Sequence, residues 1–137
     1  MIELIEFLQD ELLLSGTLFA LIILLIVNIY GEKFKKYEIV DTNGAVTLMD
    51  DDLIILDVRE EKERSAGFID SDLNIPMGQV KSKLDSLDKS KKILVYCKSG
   101  TRSDRIADLL CKNKFQNVYS LKGGFNAWQK AELPIKK

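Results

Sequence analysis

The sequence predicts a small α/β domain built on a parallel sheet, preceded by one transmembrane helix. From residue 37 onwards, short runs rich in Ile and Val alternate with longer segments of helical period, a pattern typical of parallel strands and their crossover helices. Nearer the N-terminus, residues 12–31 contain no charged side chain. A chain of 137 residues holds one ordinary domain plus an extra element, because domains usually contain about 100–150 residues.

Residues 1–11 are an acidic N-terminal tail with four carboxylates and no Lys or Arg. The twenty residues that follow, LLLSGTLFALIILLIVNIYG at 12–31, would form a helix about 30 Å long, which matches the hydrocarbon core of a bilayer. A buried core helix would normally keep a polar face, and a cleaved signal peptide would carry basic residues before its apolar run and a small-x-small cleavage site after it. Residues 12–31 have neither pattern, so we predict a retained transmembrane helix.

The predicted span is followed by a basic linker at residues 32–36. Lys33, Lys35 and Lys36 lie directly after the span, and the residues before it carry no positive side chain. Basic residues next to a span usually stay on the cytoplasmic side. We therefore predict an N-terminus outside and a cytoplasmic domain at residues 37–137.

Five strands and five helices are predicted within the domain. The strands are expected at 39–40, 53–58, 73–75, 92–97 and 117–121. The helices are expected at 42–49, 60–66, 77–84, 101–113 and 123–131. Ligands of open parallel sheets bind beyond the carboxyl ends of the strands, so the loops at that edge are where a site is expected.

Composition excludes several classes of function. Twenty Lys and Arg side chains balance twenty-one Asp and Glu, so the total charge does not indicate a nucleic-acid binder. The chain has two cysteines and no histidine. This excludes a disulfide framework, a Cys/His zinc site and a histidine general base.

The loop that begins at Cys97 carries the clearest chemical signal. The strand KILVYC ends at Cys97, and a short turn leads into a helix that opens at Thr101. Backbone N–H groups in such a turn and at a helix N-terminus favour negative charge on sulfur, so we expect Cys97 to be a nucleophile. The alternative is that Cys97 is a buried small hydrophobic residue at a strand end.

The other residues of this loop suit an anionic substrate. Gly100 fits a position with positive φ or one that leaves room for substrate. Lys98 and Arg102 would add positive charge around an incoming anion. Ser99, Thr101 and Ser103 offer hydroxyl donors, although such residues are also common in turns and helix caps.

Three motifs resemble those of the rhodanese (sulfurtransferase) family. CKSGTRS at 97–103 resembles the family's active-site loop. LDVRE at 56–60, together with GFIDSDLNIP at 67–76, is similar to its aspartate strand and the segment after it. LKGGFNAW at 121–128 is similar to its C-terminal signature. The motifs occur in the family's order and spacing. The resemblance as a whole covers about 100 residues, essentially all of the chain after the linker.

This resemblance implies a five-stranded parallel sheet with helices on both faces. It implies that Cys97 accepts sulfane sulfur as a persulfide, from thiosulfate or a protein persulfide, and passes it to a thiol or another thiophilic acceptor. The substrate-binding residues would be Lys98, Ser99, Gly100, Thr101, Arg102 and Ser103. No metal or organic cofactor is implied.

Two other functions stay open from the sequence. Rhodanese-like domains also serve as non-catalytic adaptor or regulatory modules, which the anchor would place at the membrane surface with a protein partner. A phosphatase or arsenate reductase is less expected, because related phosphatases use a loop one residue longer than the stretch from Cys97 to Arg102. None of these functions calls for a nucleic-acid partner.

Residues outside the loop receive structural roles. Asp57 and Arg59 are expected to pair with each other or with backbone and to fix loops near the site. Cys111 lacks a comparable loop and is expected to be incidental, the alternative being a disulfide with Cys97. Arg64 and Phe68 depart from the family pattern, which usually has an aromatic residue and a histidine at these positions.

Overall fold

The computed structural model describes residues 1–30, 36–50 and 52–137. It separates into an N-terminal unit and a C-terminal unit that begins at Lys36. The N-terminal unit contains helices α1 (Ile2–Asp10) and α2 (Leu12–Tyr30), so most of the predicted acidic tail is helical. Helix α2 is long and apolar enough to cross a membrane, and none of its residues is buried within the protein. Gly31 and residues 32–35 of the predicted linker lie outside the described residues.

The C-terminal unit is an α/β domain whose five-stranded parallel sheet confirms the predicted fold class. The strands are β1 (Glu38–Val40), β2 (Ile54–Asp57), β3 (Leu73–Asn74), β4 (Ile93–Tyr96) and β5 (Val118–Leu121), in the spatial order β1-β5-β4-β2-β3. The helices are α3 (Thr42–Leu48), α4 (Glu61–Arg64), α5 (Met77–Val80), α6 (Thr101–Lys112) and α7 (Gly124–Lys130). All five predicted strands and all five predicted helices are present.

Two predicted helices differ in form from the expectation. Helix α4 is a single turn, closed at its start by a capping box between Glu60 and Glu63 and followed by Gly67 at φ +136°. The predicted helix 77–84 divides into α5 and a 3-10 helix at Lys81–Ser86. Val80 and Leu84 are nevertheless both buried, so this segment still presents one apolar face to the sheet.

The sheet has a separate apolar core on each face, because successive side chains of a strand point in opposite directions. One core joins Leu56, Val95 and Cys97 to residues of α5 and α6 such as Val80 and Leu110. The other joins Ile55, Leu94, Tyr96 and Leu121 to Ala45 of α3 and to Phe125 and Trp128 of α7. Both faces are therefore covered by helices, as predicted.

The sheet order places the Cys97 loop at the centre of the domain. Strand β4 lies between β5 and β2, and it pairs in parallel with both. Cys97 follows the last residue of β4 directly, at the carboxyl edge where β2 leads into α4 and β5 leads into α7. Elements from both neighbouring strands can therefore contact the loop.

We predict that Leu94→Ala lowers the free energy of unfolding by about 2–5 kcal/mol, because Leu94 is fully buried in the central strand and its truncation leaves a cavity. The matched change Leu73→Ala, on edge strand β3 where the side chain is 44% exposed, should cost less than about 1 kcal/mol. Urea unfolding of both variants checks this. Equal losses would contradict the central position of β4 in the core.

Candidate active site

Cys97 is fully buried, with its sulfur held inside the loop that follows β4. The backbone N–H of Gly100 lies 3.1 Å from Sγ and that of Ser103 lies 3.4 Å away. Both donors point at the sulfur, an arrangement that stabilises a thiolate more than a neutral thiol. Two backbone N–H groups of the loop are therefore in place to stabilise negative charge on Sγ.

Gly100 allows the loop to turn this tightly. It adopts φ +104°, in the left-handed region that a side chain disfavours, and it immediately precedes α6. A Cβ at this position would also lie 3.3 Å from the backbone nitrogen of Gly123. In a helix that begins at Thr101, the N–H groups of Thr101 and Arg102 have no carbonyl partner within the helix. These two amides follow Gly100 directly along the chain.

Helix α7 fixes the orientation of the loop backbone. Its first turn donates two hydrogen bonds to the loop, from Phe125 N–H to the carbonyl of Cys97 at 2.7 Å and from Asn126 N–H to that of Lys98 at 3.0 Å. Gly124 permits this approach, because a Cβ there would lie 2.4 Å from the Cys97 carbonyl oxygen. These two hydrogen bonds fix the orientation of the two peptide groups that lead from Cys97 to Ser99, directly before Gly100.

A chain of hydroxyl groups links the buried sulfur to a carboxylate. The Cys97 thiol lies 3.6 Å from Ser103 Oγ, which is 3.0 Å from Ser120 Oγ. Ser120 Oγ in turn lies 2.7 Å from Asp104 Oδ1, and both serines are fully buried. Ser103 Oγ also donates to the carbonyl of Gly100 at 2.9 Å, so this hydroxyl connects the sulfur to the loop backbone and to β5.

Arg102 forms a bidentate ion pair with Glu63 of α4. Its NH1 and NH2 groups donate to the two carboxylate oxygens at 2.8 and 2.7 Å. Hydrogen bonding to Arg102 lowers the pKa of Glu63 to about 2, so the carboxylate is ionised at neutral pH. The hydrogen bond to Glu63 is also the main cause that raises the pKa of Arg102, so the guanidinium stays charged.

Asp57 and Arg59 form a buried ion pair that continues into a larger network. The guanidinium of Arg59 donates to both oxygens of Asp57 and, at 2.9 Å, to the carbonyl of Gly67. Arg64 bridges Asp57 and Asp72 at 2.8 and 2.6 Å, and the Tyr96 hydroxyl also donates to Asp72. Burial and the hydrogen bond to Asp72 raise the pKa of Tyr96, so its hydroxyl stays protonated. The network ties α4 to the sheet.

The remaining predicted site residues lie on the outside of the loop. The side chains of Lys98, Ser99 and Thr101 are exposed. Ser99 and Thr101 border a cavity of about 460 Å³ beside Arg105 and Lys122. Lys98 borders a smaller cleft of about 210 Å³ between α4 and α7. The structure therefore brings Gly100 and Ser103 to the sulfur, and Arg102 to Glu63.

Both cysteines are free thiols, and Cys111 lies on α6. Burial is the main cause that raises the pKa of Cys111, the opposite of what a reactive thiolate requires. Across residues 1–30, 36–50 and 52–137, no three His, Cys, Asp or Glu side chains are grouped closely enough to hold a metal ion.

Three residues that shape the site were missed by sequence reasoning. Glu63 had no assigned role, Ser120 was only a strand residue, and Gly124 was only part of the motif LKGGFNAW. The capping-box spacing of Glu60 and Glu63 was visible in the sequence and marks α4. The ion pair between Glu63 and Arg102, which lies 39 residues later in the chain, has no local sequence signal.

We predict that Gly124→Ala lowers the free energy of unfolding by about 2 kcal/mol or more, because the residue has φ +59° and its new methyl group would overlap the Cys97 carbonyl. Gly78→Ala is the matched control, since nothing lies within 4 Å of a Cβ on this α5 glycine, and it should change stability by less than about 1 kcal/mol. Thermal or urea unfolding of the two variants distinguishes them. Similar stability of both would contradict the close contact between α7 and the loop.

Sequence comparisons identify relatives with the same domain. A family profile described as the Rhodanese-like domain matches residues 42–131. Bacillus subtilis YqhL, an uncharacterized protein, is 39% identical over 74 residues, and the chain covers 59% of its length. The putative sulfurtransferase YtwF of B. subtilis is 35% identical over 85 residues, which are 62% of this chain and 82% of that protein. Thiosulfate sulfurtransferase GlpE of Coxiella burnetii is 36% identical over 78 residues, 57% of this chain and 73% of GlpE.

Solved structures agree with the sequence relatives. A rhodanese-related protein from Thermoplasma volcanium superposes with a TM-score of 0.68 at 26% identity, over 73% of this chain and 98% of that one. An NAD-dependent persulfide reductase from A. fulgidus matches with a TM-score of 0.59 at 28% identity, over 74% of this chain and 17% of the reductase. The family match, the parallel sheet and the three sequence motifs lead to one conclusion: the chain belongs to the rhodanese-like domain family, in which relatives such as YtwF and GlpE are named sulfurtransferases.

Proposed function

We propose that this protein is a membrane-anchored sulfurtransferase or sulfur carrier in which Cys97 carries sulfane sulfur as a persulfide. The observation that carries the proposal is the pair of backbone N–H groups, from Gly100 and Ser103, directed at Sγ. A thiolate held in this way is a nucleophile, and the same loop can stabilise the negative outer sulfur of a persulfide. Sulfurtransferase relatives such as YtwF and GlpE support this chemistry.

The reaction is two successive displacements at sulfur. In the first, the Cys97 thiolate attacks the sulfane sulfur of the donor, the Sγ–S bond forms, and the donor's own bond to that sulfur breaks. The electron pair leaves on sulfite when the donor is thiosulfate, or on a thiolate when the donor is a persulfide. In the second step, a thiolate or cyanide attacks the outer sulfur and regenerates the Cys97 thiolate. No net oxidation occurs.

The loop residues divide these tasks. The amides of Gly100 and Ser103 hold Sγ, and the amides of Thr101 and Arg102 lie next along the chain for the outer sulfur. Lys98, Ser99 and Thr101 present exposed side chains around the loop, where a donor or acceptor would approach. Because Cys97 is buried, the outer sulfur of its persulfide is the atom that an acceptor would attack.

An adaptor without catalysis is the second candidate function. It would explain an anchored rhodanese-like domain, but it does not require the hydrogen bonds to Sγ or the free thiol. A phosphatase or arsenate reductase is less favoured, because only four residues separate Cys97 from Arg102 in this loop.

We expect the full-length protein, purified in detergent, to gain one sulfur atom on incubation with thiosulfate or a small-molecule persulfide. Intact-protein mass spectrometry measures the gain, and cyanide should remove it as thiocyanate. Cys111→Ser is the matched control and should behave as the parent does, whereas Cys97→Ser should gain no sulfur. A folded protein with a free Cys97 that accepts sulfur from neither donor would leave the adaptor as the function.

The same proposal places helix α2 across a membrane with the domain on the cytoplasmic side. The length and apolarity of α2 support a span, and the three lysines at 33, 35 and 36 support this orientation. The N-terminal acidic residues would then lie outside. The domain would stay close to the membrane surface, within reach of membrane-bound donors or acceptors.

We expect an epitope tag at the N-terminus to be accessible to antibody on cells whose outer layers have been removed, and a C-terminal tag to become accessible only after the membrane is permeabilised. Replacing Lys33, Lys35 and Lys36 with Gln should weaken this preference. Recovery of the unaltered protein in the soluble fraction would refute the anchor. Equal access to both tags would refute the orientation.

A further inference from the structure

Arg102, one of the two basic residues of the Cys97 loop, is already paired with a carboxylate. Both terminal nitrogens of Arg102 are bound to Glu63, and each of these two side chains is about one third exposed, at 31% and 30%. Glu63 Oε2 also accepts a hydrogen bond from the backbone N–H of Glu60 at 2.9 Å. The carboxylate is thus held from α4 and by Arg102 together, so its position is well defined.

The other charges around the site are also balanced. The buried network contains two guanidinium groups, Arg59 and Arg64, and two carboxylates, Asp57 and Asp72. Adding the Arg102–Glu63 pair gives three positive and three negative charges. Among the described residues next to the loop, the positive charge that forms no ion pair with a carboxylate lies on exposed side chains such as Lys62 and Lys98, where solvent and salt screen it.

We propose that Glu63 determines donor specificity: by neutralising Arg102 it disfavours dianionic donors such as thiosulfate and favours the persulfide of a thiol or protein. This inference rests on the proposed sulfur-carrier function of Cys97. It assigns Glu63, which none of the motif comparisons singled out, as a positioning residue that acts through Arg102.

The physical reason is the charge that each donor brings. Thiosulfate carries two negative charges and releases sulfite, which also carries two, so its transition state needs a cation with free donors. A persulfide carries at most one negative charge on its outer sulfur and releases a thiolate. The backbone amides of the loop can stabilise one charge on sulfur. With Arg102 occupied, the sulfonate oxygens of thiosulfate would meet the Glu63 carboxylate beside the guanidinium.

Glu63 also lies beside one approach to the loop. Its side chain borders the cleft between α4 and α7, together with Lys98 of the loop and Asn126 of α7. A donor that approaches the loop from this cleft passes the carboxylate. Because hydrogen bonding lowers the pKa of Glu63 to about 2, the carboxylate remains ionised from neutral pH down to about pH 4, so Glu63 itself does not change its charge over that range.

We expect Glu63→Gln to raise the rate constant for sulfur uptake from thiosulfate, relative to that from cysteine persulfide, by about tenfold or more. Glutamine keeps an acceptor oxygen for Glu60 N–H, removes the charge, and replaces the other carboxylate oxygen, which accepts from Arg102, by an NH2 group. The matched control is Glu61→Gln, which removes one negative charge from the exposed side of the same helix. The measurement is stopped-flow or quenched-flow mass analysis of Cys97 persulfide formation, with each donor, on the full-length protein in detergent.

An unchanged ratio of the two rate constants in Glu63→Gln, or an equal change in Glu61→Gln, would overturn the inference, with unfolding curves showing that both variants are folded. Equal losses with both donors in a folded Glu63→Gln protein would also overturn it, since Glu63 would then act on loop structure alone. These results differ from failure of the proposed function, in which the unaltered protein takes sulfur from neither donor.

Discussion

The two hydrogen bonds from the first turn of α7 to the carbonyls of Cys97 and Lys98 are the constraint on which the site depends. A short loop can turn its peptide groups in several ways, and only some of them direct N–H groups at the sulfur. Holding two carbonyls against α7 selects one of these arrangements before any substrate binds. This preorganisation is what makes backbone dipoles effective in stabilising charge, since no reorientation is needed during reaction. Gly124 is required because only a residue without Cβ allows α7 to come so close.

The buried charges also fix the geometry near the site, and their burial requires the loss of hydration. Asp57 is fully buried and Arg59 is 2% exposed, so each would be strongly destabilising without the other. Arg59 also lies over the ring of Phe125, 4.3 Å from its centre, which connects the ion pair to α7. The network therefore joins the chain after β2 to the helix that holds the Cys97 loop. Its role is to fix geometry near the site while leaving the local charge balanced.

The departures from the family pattern form one cluster in space. Arg64 stacks on the ring of Phe68 at 4.3 Å and pairs with Asp72, which also receives the Tyr96 hydroxyl. Considered singly in the sequence, these residues were unrelated differences at the rim of the site. In the fold they depend on one another, because an arginine at position 64 requires both a carboxylate and a surface to pack against. They alter the support of α4, and α4 carries Glu63.

The sequence by itself determined the family, the five-stranded sheet and the position of the Cys97 loop at a strand end, because these follow from local periodicity and from motifs whose residues are close along the chain. It also predicted that residues 12–31 are apolar enough to span a membrane. Only the tertiary structure decided which partners the loop residues have: Glu63 for Arg102, Ser120 for Ser103, and the N-terminus of α7 for the loop carbonyls. These contacts join residues far apart in sequence, and their formation depends on how the helices pack on the two faces of the sheet. Side-chain identity limits which pairs can form, but proximity in the fold selects among them.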